Sequence, residues 1–379
     1  MKPLAVFRYY LLNKRKSIAI FCAISLSVFL LYFVQMLIDS ALSINYRTFV
    51  LPQKYFTSIA ARSKVIDARL MGQLKSMEQV EKLIPWISRY TNFDSSIGGR
   101  IGTKVITGNQ ADILLLMKKM GLKLKAGRLP EPGTSEIALH ELVAVNKKLK
   151  VGDRIGNNLV QDEVIEGEKV ISGLIQGESI ISFDSLEYWM EKHKNGYKDY
   201  SLGIILLPKE GAMSQLERSL NQLDTTGLEV RTYTSVALQD AKETESIHML
   251  LTMINMMVIA IVSICTGFIS YIYFAQRQGE FGILAAMGYT RQEIIRKAFF
   301  EIFWIDLVSF GVGILLSWAA GLVLNLAVFM PKGQPLVLWE PDYVVKAVCV
   351  PVFAILFSVI PVWRMLKRLD PVSTIERVV

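Results

Sequence analysis

The sequence predicts an α-helical membrane protein with four transmembrane helices in a one-plus-three arrangement and a large extracytoplasmic α+β domain. Two observations predict this class. Hydrophobic residues make up 52% of the 379-residue chain, and they dominate four long runs, each long enough to cross a hydrocarbon layer as a helix. Between the first run and the second lies a segment of ordinary globular composition, 39–248, in which short β-like and helical patterns alternate.

The four apolar runs differ in how completely they exclude charge. The first two contain no charged residue, the third contains only Glu301 and Asp306, and the fourth contains only Lys346. The first run is too long for the apolar region of a signal peptide, and no clear small-residue cleavage site follows it, which favours an uncleaved anchor. The predicted transmembrane helices are 17–38, 249–275, 298–330 and 343–363, with an outer loop at 331–342.

Basic residues concentrate in three segments that flank the predicted membrane helices. Residues 2–16, 276–297 and 364–379 together contain 13 basic and 4 acidic residues, so their net charge of +9 accounts for the whole +8 of the chain. Because cytoplasmic loops of membrane proteins are enriched in Lys and Arg, this pattern predicts a multi-pass membrane protein with both termini and the 276–297 segment in the cytoplasm. The basic residues flank the membrane rather than line a folded face, so no nucleic-acid partner is expected.

The outer segment is predicted to contain two βαβ units with a β-rich subdomain inserted between them. The first unit, 54–93, has the strand "KYFTSIAAR", the amphipathic helix "DARLMGQLKSM" and the strand "VEKLIPWISRYTNF". The second unit, 201–234, repeats this order with "SLGIILLP", "AMSQLERSLNQL" and "GLEVRTYT". Turn signals such as Glu-Pro-Gly and Val-Gly-Asp crowd the intervening stretch, about 98–185, and predict short strands there.

Residues that carry catalysis or bind metals are sparse. His140 and His193 are far apart in the outer segment, which has no cysteine, and the three cysteines, Cys22, Cys265 and Cys349, lie in predicted membrane helices. The sequence contains no Gly-x-Ser-x-Gly nucleophile turn and no Gly-x-x-x-x-Gly-Lys-Ser/Thr phosphate-binding loop. The chain is therefore predicted to be non-catalytic and to bind no metal or cofactor itself.

The segment "RQGEFGILAAMGYTRQEIIRK" is too polar for a membrane span and too apolar for a solvated loop. It predicts a short helix from Glu280 to Met287 that Gly288 ends, and a second helix that begins at Thr290, where Glu293 completes a capping box. The second helix continues into the third span. The first has almost no polar face and is too short to be stable alone in water, so another surface must cover it.

Two surfaces are candidates to cover this short helix. The favoured candidate is a hydrophobic groove on a cytoplasmic partner, because Phe281, Ile283, Leu284 and Met287 give the helix a broad apolar arc. The alternative is a turn that packs against the chain's own membrane helices and the lipid headgroups.

An ordered set of motifs runs through the chain. The short helix and the third span contain Arg277, Glu280, Gly282, Ile283, Leu284, Ala286, Gly288 and Glu301. The end of the chain contains Pro361, Arg364, Asp370, Pro371 and Ile375, and the outer segment contains "AGRLPEPGTSEIALHE". Together these motifs resemble those of MacB-like and FtsX-like (type VII) ABC transporter permeases, with features of the DevC-like branch. The chain departs from the pattern at Ala285, where an Arg is common, and no ATPase domain is expected in it.

The resemblance implies a permease subunit of an ATP-driven exporter or extractor that works by mechanotransmission, so that a separate cytoplasmic ATPase moves the extracytoplasmic domain. Two copies of that ABC ATPase would bind ATP and Mg²⁺, a second permease copy would complete a homodimer or a related heterodimer, and an adaptor outside the membrane is a further expected partner. The alternative function is an FtsX-like signal relay that activates a cell-envelope partner without transport. The implied ATPase-coupling residues are Arg277, Glu280, Phe281, Gly282, Leu284, Met287, Gly288 and Tyr289.

Small residues recur at helical spacing in the second and third spans. Such stripes allow close approach of two helices, either within one bundle or across a dimer. At the other end of the chain, residues 1–16 have apolar residues at helical spacing among basic ones and predict an amphipathic helix that contacts membrane lipids. The residues assigned to helix packing are Ser263, Gly267, Gly313, Ser317 and Gly321.

Glu301 and Asp306 are the acidic residues of the third span. An ionisable side chain inside a membrane is costly, which makes Asp306 a candidate for function. Three hypotheses remain open for it: a proton-coupled role, a hydrogen bond to a polar neighbour such as Asn255 or Asn325, and a wet seam between two copies of the chain.

Overall fold

The structure is a computed structural model that describes residues 14–62, 65–96, 99–159, 163–193 and 203–367. These residues form two compact units. The helical unit is drawn from 1–39, 247–324 and 336–379, and the α+β unit from 40–246 and 325–335. Most of the predicted interfacial helix at 1–16, and the tail residues Asp370, Pro371 and Ile375, lie outside the described residues.

The helices of the described residues are, in chain order, α1 Lys14–Asn45, α2 Ala68–Lys75, α3 Gln110–Met120, α4 Glu141–Lys147, α5 Leu186–Lys192, α6 Met213–Leu220, α7 Tyr233–Ala275, α8 Gln278–Ala286, α9 Arg291–Leu324 and α10 Pro341–Lys367. The strands are β1 Thr57–Ala61, β2 Val80–Pro85, β3 Ile87–Asp94, β4 Arg100–Gly108, β5 Lys123–Gly127, β6 Glu136–His140, β7 Arg154–Ile155, β8 Lys169–Gln176, β9 Ile181–Ser185, β10 Gly203–Pro208 and β11 Leu228–Arg231.

Four helices in the described part of the chain are long and apolar enough to cross a membrane, and they confirm the predicted number of spans. They are α1, α7, α9 and α10. Each begins before the apolar run that predicted it, and α7 extends furthest, from Tyr233 rather than from residue 249. The difference arises because an apolar run marks where a helix meets lipid, whereas polar residues can continue the same helix beyond the membrane. Helix α9, the third of these four helices, ends at Leu324. A π-helical turn, Asn325–Phe329, and a 3₁₀ turn, Met330–Lys332, follow it.

The two predicted βαβ units interlock in one four-stranded sheet. Its order is β11-β1-β10-β2, with all neighbours antiparallel, so each unit places its two strands on either side of a strand from the other unit. Alternation along β10 turns Ile204 and Leu206 towards α2 and α6, where they pack with Leu70, Leu74 and Leu216. Both ends of the 39–248 segment therefore contribute two strands each to this sheet.

The inserted subdomain is a seven-stranded mixed sheet in the order β3-β4-β9-β6-β8-β5, with β7 paired to β8. It begins at Ile87, so the predicted boundary near residue 98 is wrong by one strand. The stretch "VEKLIPWISRYTNF" resembles one long strand in the sequence, but it forms β2 and β3 on either side of Trp86, and these strands belong to different sheets. Apolar alternation continues across the break, which is why the pattern does not reveal it.

A shared core joins the two sheets. Ile84, Ile205 and Leu207 of the four-stranded sheet pack in one cluster with Ile106 and Phe183 of the seven-stranded sheet. The opposite face of the larger sheet has its own core beneath α4. Because the sheets share buried side chains, the α+β unit is expected to fold as one cooperative body.

Candidate functional site

The backbone between α7 and α9 forms a helix, a sharp stop and a new start. Helix α8 ends at Ala286, and Gly288 has a φ of +92°, a conformation that side chains with a Cβ rarely adopt. At the start of α9, the Glu293 carboxylate accepts from the backbone N–H of Thr290 at 2.8 Å, and Thr290 Oγ1 accepts from the backbone N–H of Glu293 at 3.4 Å. These are the bonds of a capping box, and they fix where α9 begins.

One face of α8 is covered by the chain itself. Phe281, Gly282 and Leu284 are buried, and the two larger side chains pack in a cluster with residues of α7, α9 and α10. The other members of this buried cluster are Tyr273, Phe274, Ile294, Ala298, Ile302, Val362 and Leu366. The expectation that the whole apolar arc awaits a partner is therefore wrong for this face, and the alternative of packing on the chain's own helices describes it.

The opposite face of α8 and the turn after it are open. The side chains of Ile283 and Met287 are 54% and 59% exposed, and Glu280 and Gly288 are exposed beside them. Ile283, Met287, Glu280 and Gly288 are named here the open face of α8. Tyr289 lies at the edge of the buried cluster, half-buried, and its backbone N–H donates to Leu284 O at 3.2 Å. The open face is small, apolar at its centre and flanked by one carboxylate.

A buried ion pair fastens α8 to α9. Arg277 is 3% exposed, and its Nη1 atom lies 2.6 Å from Glu301 Oε2 and 3.1 Å from the hydroxyl oxygen of Tyr273. Its Nε atom donates to Glu280 Oε2 at 3.0 Å. Burial opposes the charged guanidinium, but the hydrogen bond and the negative charge of Glu301 outweigh it and raise the pKa of Arg277. The arginine therefore stays charged and holds the start of α8 against the third span.

Aromatic rings surround this arginine. Its guanidinium carbon lies 5.1 Å from the ring centroid of Tyr273, 5.7 Å from that of Phe274 and 5.2 Å from that of Phe281. Such contacts favour a cation that has left water. The sequence singled out Arg277 and Glu301 separately, but not as a pair. The signal that was available is that they are oppositely charged and lie on either side of the helical turn.

The small residues of the third span pack against the first span of the same chain. A Cβ atom added to Gly313 would lie 2.7 Å from Val28 Cβ and 2.8 Å from the backbone oxygen of Ser25. Further along, Ser317 Oγ donates to the backbone oxygen of Phe29 at 3.0 Å. Gly321 similarly faces the side chain of Met36. The sequence left open whether these residues pack within one bundle or across a dimer. Gly313, Ser317 and Gly321 pack within the bundle of a single chain.

The small residues of the second span face the fourth span. A Cβ atom on Gly267 would lie 2.8 Å from the backbone oxygen of Phe357, and one turn further Ser270 Oγ lies 3.2 Å from Ser358 Oγ. Ser263 is buried one turn before Gly267, on the same side of α7. Close approach of backbones thus occurs twice in the bundle, once between α1 and α9 and once between α7 and α10.

Asp306 is buried in the helical unit, with 1% of its surface exposed. Among the described residues none forms a hydrogen bond with its Oδ2 atom. An ionised carboxylate in such a place is costly. The proton-coupled role, the polar partner and the wet seam between two copies therefore all stay predictions.

We expect Asp306→Asn, which keeps the size of the side chain and removes its charge, to leave the melting temperature in detergent unchanged or to raise it. The physical reason is that the carboxylate has no partner to lose at Oδ2. Thermal unfolding of the purified chain, followed by the loss of monodisperse protein, measures this. A fall of several degrees would contradict the prediction and would show that a charged Asp306 is held in place.

His140 has a structural place in the α+β unit. Its Nδ1 atom accepts from the backbone N–H of Leu142 at the start of α4, and its Nε2 atom lies 3.2 Å from the oxygen of Gly177. Burial lowers the pKa of His140 to about 4, so the ring is neutral at physiological pH. This histidine therefore caps the helix α4.

Much of the helical unit is similar to a known protein family. Residues 252–369 match the family model described as "FtsX-like permease C-terminal", a stretch that contains most of α7 and all of α8, α9 and α10. The chain is also 28% identical over 137 residues to the "Macrolide export ATP-binding/permease protein MacB" of Bordetella avium (strain 197N), which is 36% of this chain and 20% of that protein. Residues 252–369 thus match an FtsX-like permease family model, and the chain is similar to MacB proteins.

A second similar protein is the "Macrolide export ATP-binding/permease protein MacB" of Hahella chejuensis (strain KCTC 2396), 28% identical over 124 residues, or 31% of this chain and 18% of that protein. These matches span about one fifth of the length of the curated relatives. Among solved structures, the periplasmic region of MacB from Actinobacillus actinomycetemcomitans is similar with a TM-score of 0.32 and 11% identity, over 52% of this chain and 95% of that one.

Proposed function

We propose that this permease is the membrane subunit of an ATP-driven exporter or extractor of the bacterial cytoplasmic membrane, and that it works by mechanotransmission. A separate cytoplasmic ABC ATPase, in two copies, binds ATP and Mg²⁺ and contacts α8. A second permease copy, identical or related, completes the complex. The chain itself is non-catalytic and passes motion to its α+β unit, which lies outside the membrane in the orientation that the charge pattern predicts.

The observation that carries this proposal is the two-sided character of α8. One side is fixed to α9 by the Arg277–Glu301 pair and by the buried Phe281 and Leu284. The other side is open, with Ile283 and Met287 exposed. A force applied to the open face would move the base of the third span, because the short helix is joined to it by a buried ion pair rather than by a slack loop.

The test uses the ATPase that co-purifies with the tagged wild-type permease from its native membrane. We expect Ile283→Asp and Met287→Asp each to lower the affinity for that ATPase about 30-fold, since truncating or charging a central apolar contact of an interface typically costs about 2 kcal/mol. Because both side chains are exposed, neither variant should unfold the chain. Binding and permease-stimulated ATP hydrolysis in nanodiscs are the measurements.

Leu238→Asp is the matched control, because Leu238 is an equally exposed apolar residue in the part of α7 that belongs to the α+β unit. It should leave ATPase binding at the wild-type level. Wild-type binding by both open-face variants would exclude α8 as the docking helix. The absence of any co-purifying ATPase would contradict the proposed function as a whole, and ATP-dependent activation of an envelope partner without cargo movement would favour the relay.

A further inference from the structure

The connection between the third and fourth spans folds as part of the α+β unit. Residues 325–335 group with 40–246 rather than with the helices that they join. The segment contains a π-helical turn, a 3₁₀ turn and then Gly333 with a φ of +65°. Residues 325–335 are named here the bridge segment. The sequence predicted only a membrane helix up to residue 330 and an ordinary outer loop after it.

Side-chain amides tie the bridge segment to the inserted sheet. Asn146 of α4 donates to the backbone oxygen of Lys332 at 2.8 Å and to that of Asp94 at 2.9 Å. Gln334 is buried, donates to the same Asp94 oxygen and accepts from the backbone N–H of Ser96 at 2.8 Å. Two buried or half-buried amides thus connect the end of β3, the helix α4 and the bridge segment. Polar groups in such a site are costly to leave unpaired, so the contact is specific.

A glycine brings two backbones together at the same place. A Cβ atom on Gly333 would lie 2.2 Å from the backbone oxygen of Leu142 in α4, so no other residue fits without movement of the main chain. Its positive φ adds a second reason for glycine. An ordinary loop between two membrane helices needs neither feature. The close approach makes the bridge segment a short and stiff attachment.

The inserted sheet has another attachment, at the end of the first span. Arg47 donates from Nε to the oxygen of Glu178 at 2.8 Å and from Nη2 to the oxygen of Gly177 at 3.1 Å, in the turn between β8 and β9. The backbone N–H of Ile180 donates to the oxygen of Arg47. The sheet is therefore held at one place by the chain that leaves α1 and at another by the chain that joins α9 to α10.

We propose that the bridge segment is a second transmission point, through which displacement of α9 and α10 acts directly on the inserted sheet. Gln334, Asn146 and Gly333 are its positioning residues. This inference rests on the proposed mechanotransmission and adds to it. Since α8 is fastened to α9 by the Arg277–Glu301 pair, force on α8 reaches the inserted sheet along a single helix and its continuation, without passing through the four-stranded sheet.

The experiment measures movement within the α+β unit. Spin labels are attached at Lys150→Cys, next to α4 on the inserted subdomain, and at Leu238→Cys, near the start of α7, both exposed positions. The natural cysteines Cys22, Cys265 and Cys349 are replaced by Ser. The full permease with its co-purified ATPase is placed in nanodiscs, and the label-to-label distance is compared with and without ATP and vanadate. We expect the wild-type bridge segment to give a nucleotide-dependent change in this distance.

The bridge variants should suppress that change. Gln334→Ala removes the buried amide, and Gly333→Ala introduces the clash with Leu142. Each is expected to reduce the nucleotide-dependent change at least twofold while ATPase binding stays at the wild-type level. Gly211→Ala is the matched control: Gly211 has a similar positive φ, of +75°, in a turn of the same unit, but no atom lies within 4 Å of its added Cβ. It should leave the change intact.

A rescue separates transmission from simple stability. Cysteines at Asn146→Cys and Lys332→Cys, joined by a short thiol crosslinker before labelling, should restore the distance change in the Gln334→Ala background. A full distance change in both bridge variants would overturn the inference, even if their melting temperatures fall, because the contact would then be purely structural. A wild-type complex that binds its ATPase but shows no nucleotide-dependent change would instead count against the proposed mechanotransmission itself.

Discussion

Replacing Arg277 with Met is expected to destabilise the protein by about 3–5 kcal/mol, the usual effect of removing one partner from a buried ion pair. The reason is that Glu301 is fully buried and would lose the cation that lies 2.6 Å from its Oε2 atom. The helical turn would also lose the hydrogen bonds from Arg277 to Tyr273 and Glu280. Unfolding of the purified chain by denaturing detergent, followed by helix content, measures the loss.

Two further variants identify the cause. In the double variant Arg277→Met with Glu301→Leu no charge is left buried, so most of the lost stability should return, as happens when apolar residues of similar size replace a buried pair. Glu280→Gln removes a partner of the same arginine that is itself 51% exposed, and should cost less than about 1 kcal/mol. If Arg277→Met were no worse than the double variant, the pair would not be the feature that holds α8.

Signals within a few residues of one another were sufficient for much of the fold. Apolar runs predicted the four spans, alternating patterns predicted the strands of both βαβ units, and Thr290 with Glu293 predicted the start of α9. In each case the pattern acts through one helical turn or one strand, so neighbouring residues contain the whole signal. The stop at Gly288 belongs to the same class, because a positive φ favours glycine locally.

Features that depend on distant partners were not predictable from these patterns. The sequence correctly predicted a broad apolar surface on α8. It did not predict which side of α8 faces the bundle, because that depends on the positions of α9 and α10, which no local pattern encodes. The Arg277–Glu301 pair joins residues 24 positions apart, and the bond from Gln334 to Asp94 joins residues 240 positions apart. The interlocking of the two βαβ units also depends on distant partners. Its strand order requires strands that precede the insert to pair with strands that follow it.

Gly313→Leu is expected to have the second large effect, because it places a side chain where α1 and α9 touch. The added Cβ atom would lie 2.7 Å from Val28 Cβ and 2.8 Å from the backbone oxygen of Ser25. A flexible side chain could move aside, but the Ser25 oxygen belongs to a helix backbone, so the two spans would have to separate. Overpacking of this kind typically costs about 1–3 kcal/mol, and the loss of the Ser25–Ser309 and Ser317–Phe29 bonds would add to it.

Gly311 supplies the matched control, two residues earlier in the same helix, because no atom lies within 4 Å of a Cβ added there. Gly311→Leu keeps the new side chain and the loss of a helical glycine but creates no clash, and removal of a glycine from a helix interior should itself stabilise by about 0.5–1 kcal/mol. The two variants should therefore shift detergent-induced unfolding in opposite directions. Equal shifts would show that Gly313 is not at a close helix contact, and the assignment of the small-residue stripe to packing of α1 on α9 would fail.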